Sequence, residues 1–131
     1  MPIIKDFTLP PSPSQLDIPQ DSSPSNQTSA IIAFISGNDP VTQQPWCPDV
    51  RDALPHLDAA FAAPDAPAVA VISVGEKLVW KDPMNVYRTQ WGINNIPALV
   101  RYQHVDGEVK ETKRLIEGEI LDKAKVQAFL A

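Results

Sequence analysis

The stretch AIIAFISGNDPVTQQPWCPDVRDALPHLDAAF, Ala30 to Phe61, decides how this chain folds. AIIAFIS, Ala30 to Ser36, is a short continuous apolar run, and Gly37, Asn38, Asp39 and Pro40 follow it as a cluster of turn formers. Apolar residues at successive rather than alternate positions suit a strand buried on both faces. Beyond the turn, Val50, Ala53, Leu54, Leu57 and Phe61 recur at three- and four-residue steps, which sets them on one face of a helix. Pro48 fits the first positions of that helix, because its φ is already helical and its missing N–H would have no partner there.

Reading outward, AVAVISV, Ala68 to Val74, repeats the buried-strand pattern and ends at Gly75. Strand, helix and strand of this kind predict a right-handed parallel crossover. Further on, Pro83 to Trp91 can form a short helix with Met84, Tyr87 and Trp91 on one face and Gly92 at its end. ALVRY, Ala98 to Tyr102, and VKETKRLI, Val109 to Ile116, flank Asp106-Gly107, which predicts an antiparallel hairpin. Leu121, Val126, Phe129 and Leu130 predict a C-terminal helix covering that hairpin. Upstream, Leu9 to Ser29 carries Pro10, Pro11, Pro13, Pro19 and Pro24, which exclude a long helix or a central strand. A loop remains at about 9–29, with a helical turn near Ser14 to Asp17, and Ile3, Ile4 and Phe7 can form an edge strand before it. The expectation is one α/β domain over 1–131, in which a mixed sheet joins a parallel βαβ half to an antiparallel hairpin and helices flank it.

At 131 residues the chain can bury one core and is short for two. Hydrophobic residues make up 44% and charged residues 21%, the balance of a globular domain rather than a disordered one. With 11 basic against 16 acidic side chains, general attraction to nucleic acid or anionic lipid is disfavoured. No apolar run approaches the roughly 20 residues of a membrane span, and MPIIKDFTLPPSPS lacks a signal-peptide core, so a cytoplasmic location is expected. A single cysteine cannot close an internal disulfide, which agrees with a reducing compartment. Asn26-Gln27-Thr28 reads as a chance match to a glycosylation sequon.

That cysteine, Cys47, falls at or beside the start of the predicted helix. Unpaired backbone N–H groups and the positive end of the helix dipole favour a thiolate there. Free cysteines are also common as small buried hydrophobes, but Trp46 before and Pro48-Asp49 after make a deep core position the weaker reading. His56 and His104 lack nearby ligand pairs, so no metal site is expected. No G-x-G-x-x-G or Walker sequence occurs, and no cofactor is expected.

A strand, then Trp46-Cys47-Pro48-Asp49 at a helix start, Pro55 within that helix, a second buried strand and Ile96-Pro97 before the hairpin together resemble the thioredoxin fold. More narrowly, the site is similar to the WCPDC site of the small cytosolic thioredoxin-related proteins of the fourteen-kilodalton class, and Val74-Gly75-Glu76-Lys77 with Trp80-Lys81-Asp82-Pro83 is similar to that family's stretch after the central strand. The departure is Val50, which stands where the family has its second cysteine. The resemblance implies Cys47 as the reacting group and Pro97 as a cis-proline facing it, with the backbone of Ile96 available to an extended substrate. Trp46 is then either a contact platform or a packing residue, Asp49 a helix-capping or charge-accepting residue, and Pro55 a kink. A dithiol enzyme resolves its mixed disulfide with the second cysteine. Here turnover needs an external thiol such as glutathione, and clients would be disulfide-bearing proteins or small thiols. The competing reading is a catalytically silent binding module using the groove beside Cys47 and Pro97.

Overall fold

The computed structural model describes residues 3–4, 7–16, 29–62 and 66–130. Among these residues, nine regular elements follow in order: β1 (Ile3–Ile4), β2 (Ser29–Ile35), α1 (Pro48–Phe61), β3 (Val69–Ser73), α2 (Lys77–Lys81), α3 (Val86–Thr89), β4 (Ala98–Val105), β5 (Glu108–Ile116) and α4 (Lys123–Leu130). Single turns of tighter helix occupy Pro13–Gln15 and Glu117–Leu121. The five strands form one sheet in the order β1-β3-β2-β4-β5. β2 runs parallel to β3, with Ile31 opposite Val69, and antiparallel to β4, with Ala33 opposite Leu99.

The interior strands β2, β3 and β4 are buried on both faces over most of their length, as the unbroken apolar runs predict for β2 and β3. On one face Ile32, Phe34, Ala70, Ile72, Val100 and Tyr102 pack with Trp80, Trp91 and Ile93 from the α2–α3 region. On the other, Ile31, Ala33, Val69 and Leu99 meet Ala53, Leu57 and Phe61 of α1 and Val126 and Phe129 of α4. Burial of each valine, leucine, isoleucine or phenylalanine among them contributes about 1.5–3 kcal/mol. Asp106 and Gly107 both adopt positive φ, 54° and 84°, the geometry of the tight hairpin turn between β4 and β5. Register slips once, between Arg101 opposite Lys113 and Tyr102 opposite Glu111, so Thr112 is an extra residue on β5.

Several expectations need correction. The helix predicted over Pro83 to Trp91 is only Val86–Thr89, and an unforeseen helix, Lys77–Lys81, precedes it. Polar side chains divert the backbone between them: Asp82 Oδ1 accepts from the Met84 N–H at 2.9 Å, and Asn85 Oδ1 accepts from the Tyr87 N–H at 2.9 Å. Met84 consequently sits in a turn, 77% exposed, instead of on a buried face. Leu121 belongs to the turn before α4, because Asp122 interrupts the helix and then caps α4 through the N–H groups of Ala124 and Lys125. β1 is the edge strand, paired parallel with β3, but Phe7 lies outside it. The helical turn near Ser14 is seen at Pro13–Gln15, and Leu16 behind it is buried against the sheet. Asp17, Pro19, Pro24 and the sequon at Asn26 lie outside the described residues.

Candidate functional site around Cys47

β2 delivers the chain to the site at Ser36, and a short loop then returns it to the start of α1. Asp39 organises that loop, its Oδ1 accepting the N–H groups of Val41 at 2.7 Å and Thr42 at 3.3 Å. The Trp46 N–H donates to the Gly37 carbonyl at 3.2 Å, and Arg51 reaches back to the Pro45 carbonyl at 2.6 Å. Cys47 is thereby held as the residue capping α1, with extended φ −88° and ψ 121°, and Pro48 opens the helix. Its own N–H donates to Ser36 Oγ at 3.3 Å, and Ser36 is 1% exposed.

Cys47 is half-buried, and its Sγ faces the carbonyl oxygen of Ile96 at 4.0 Å. The Ile96–Pro97 peptide bond is cis. Three residues after the cysteine, Val50 is fully buried in the core cluster that Trp46 and Cys47 border. A residue at that spacing turns inward under the loop, so a valine fills the place where the family pattern has a thiol.

The other expected residues separate into clear positions. Trp46 is half-buried, and its indole N–H donates to the Gly75 carbonyl at 3.0 Å, so that donor is committed within the protein. Gly75 O also accepts from the Gly37 N–H at 3.0 Å, which ties the end of β3 to the end of β2 directly behind the site. Asp49 does not cap α1: it sits exposed in the first turn, where a carboxylate still complements the helix dipole. α1 continues through Pro55, which lies on its exposed side. Pro97 is fully buried and its carbonyl accepts from the Glu117 N–H at 2.8 Å. Among the described residues no group of three His, Cys, Asp or Glu side chains is placed to hold a metal ion. No helix among them is long and apolar enough to cross a membrane.

Sequence reasoning missed the part played by Ser36, and it read Gly75 as the end of a strand and part of a family-like stretch without foreseeing its carbonyl as a shared acceptor. Nothing in the sequence marks Ser36, because its use depends on where the loop brings Cys47. For Gly75 a signal existed, since a glycine closing a buried strand often permits positive φ, here 100°.

A parallel strand-helix-strand unit, an antiparallel hairpin and a cysteine at the helix start opposite a cis-proline define a thioredoxin-like domain. The chain belongs to the family described as thioredoxin domain-containing protein 17-like, thioredoxin domain, whose profile matches residues 17–131. It is 37% identical over 101 residues to a thioredoxin domain-containing protein of Schizosaccharomyces pombe, a match spanning 76% of this chain and 81% of that one. Human thioredoxin domain-containing protein 17 is 28% identical over 108 residues, 77% of each chain. The thioredoxin-like protein Clot of Arabidopsis thaliana is 29% identical over 98 residues, 70% of this chain and 73% of that one. Among solved structures, Trxlp from Edwardsiella tarda superposes with a TM-score of 0.50 at 20% identity, covering 78% of this chain and 82% of that one, which bears on the fold alone.

Proposed function

We propose that this protein carries out thiol–disulfide exchange through Cys47 alone, by forming a mixed disulfide that an external thiol must release. The single observation that carries the reading is the half-buried Sγ at the start of α1, facing the Ile96 carbonyl at 4.0 Å, above a buried Val50. In the first step the Cys47 thiolate attacks one sulfur of a client disulfide. A Cys47–client S–S bond forms, the client S–S bond breaks, and the departing thiolate takes a proton from water. In the second step a glutathione-class thiolate attacks the mixed disulfide at the client sulfur, which returns Cys47 as a thiolate and leaves the client carrying glutathione. A second glutathione can then reduce that product and emerge as glutathione disulfide.

Trp46 and the backbone of Ile96 would flank an extended client segment in this reading, with Pro48 and Asp49 forming the helix-side border. The site would work in the cytoplasm, where reduced glutathione is supplied.

Turnover of a disulfide substrate with and without glutathione tests this. The expected result is a glutathione-dependent rate above that of glutathione by itself, lost in Cys47→Ser. A second reading draws on Val50, whose burial leaves no thiol to finish the exchange: the groove then binds a partner and the sulfur is silent. No enhancement over glutathione by itself would leave only that second reading, and full activity in Cys47→Ser would overturn the assignment of the exchange to that sulfur.

A further inference from the structure

The second half of α1 does not close fully against the Glu117–Leu121 turn and α4. Between them lies a cleft of about 530 Å3, within the usual size range for small-molecule sites. Its nearest α1 residue, His56, lies roughly 13 Å along the helix axis from Cys47, at 1.5 Å of rise per residue. The cleft is separate from the thiol site.

Its chemistry is two-sided. Buried Ile120 and Val126 and half-buried Ala60 supply an apolar floor, whereas exposed His56, Lys123 and Gln127 stand at the rim. None of these three rim side chains has a hydrogen-bond or ion-pair partner among the described residues. Among the described residues no carboxylate lines the cleft, although the chain carries 16 acidic against 11 basic residues. Of the carboxylates near in sequence, Asp58 borders a separate small hollow of α1 against β3, and two more are engaged elsewhere. Glu119 accepts from the Ile116 N–H and pairs with Lys125 at 3.7 Å, and Asp122 caps α4.

We propose that this cleft binds a small amphipathic anion, an alkyl or aromatic carboxylate. Its apolar body rests on Ala60, Ile120 and Val126, and its carboxylate meets the Lys123 ammonium, with Gln127 and His56 as further polar contacts. The apolar floor supplies most of the affinity, and the lone cation at the rim selects the sign of the headgroup.

The test uses amide NMR titration of the whole chain with decanoate below its micellar concentration, beside decanol and decyltrimethylammonium. Decanoate is expected to perturb the Ala60, Ile120 and Val126 amides in a saturable way and to bind about two- to fivefold tighter than decanol, the ratio a single exposed ion pair gives. Lys123→Glu should remove that preference without loss of fold, because an acidic residue suits the first turn of a helix. Ala59→Phe, which places a ring in the cleft from the α1 side, should weaken decanoate and decanol alike. Cys47→Ser should change none of this. No saturable shift at the cleft, equal binding of all three probes, preference for the cationic one, or shifts that follow protein concentration because a second copy occupies the cleft would each overturn the proposal.

Discussion

The indole N–H of Trp46 and the backbone N–H of Gly37 share one acceptor, the carbonyl oxygen of Gly75, each at 3.0 Å. One peptide unit at the end of β3 therefore fixes both the residue beside the thiol and the turn leading to it. Gly75 holds φ at 100°, and a Cβ there would meet Val79 Cγ1 at 3.0 Å. Gly75→Ala should destabilise the protein by about 1–3 kcal/mol through backbone strain and crowding together. Denaturant unfolding measures this, and an unchanged midpoint would show that the junction is not restrained in this way.

Tyr102 is 1% exposed, packs edge-on to Trp91 with centroids 5.6 Å apart, and its hydroxyl has no hydrogen-bond partner among the described residues. Burial pushes its ionisation well above the ordinary 10.0; the Glu111 charge adds to this and Arg114 opposes it. Unfolded, the phenol loses its proton near 10 while the folded chain keeps it, so the unfolded state binds fewer protons and stability falls as pH rises past that value. Tyr102→Phe should lessen this alkaline decline and leave stability at pH 7 within about 1 kcal/mol, since no hydrogen bond is removed. An identical decline in both proteins would assign it to other groups.

Restoring the second thiol is the sharpest change within the site. Val50 is completely buried, so Val50→Cys trades one small apolar side chain for another and should lower stability by about 0.5–1.5 kcal/mol. The reduced variant should convert one equivalent of insulin disulfide to thiols without glutathione and finish with an internal disulfide of its own. A mixed disulfide that persists in the variant would mean that position 50 cannot approach Cys47.

The fold was legible wherever burial is two-sided. Ala30 to Ile35 and Ala68 to Ile72 read as interior strands because no polar residue interrupts them, and Pro48 marked the region where the helix starts. Legibility failed where polar side chains redirect the backbone. Asp82 and Asn85 cut the helix expected over Pro83 to Trp91 down to Val86–Thr89, and the spacing of Met84, Tyr87 and Trp91 suggested a continuity that those side chains break. Around Cys47, the burial of Val50 was readable from helical periodicity, the place of Cys47 from Pro48 at the helix start, and the cis bond at Pro97 only from the resemblance. Ser36 and the double use of the Gly75 carbonyl were not, since both arise where separate strands end side by side.

The claim that Cys47 begins an exchange it cannot finish is tested most directly by intact-mass spectrometry at neutral pH. After incubation of the reduced protein with glutathione disulfide and removal of the excess, the account predicts one glutathionyl adduct on Cys47. It should be stable on standing, released when reduced glutathione is added, and missing in Cys47→Ser. Failure to form the adduct when a free-cysteine peptide forms one under the same conditions, or its release with no thiol added, would contradict the account.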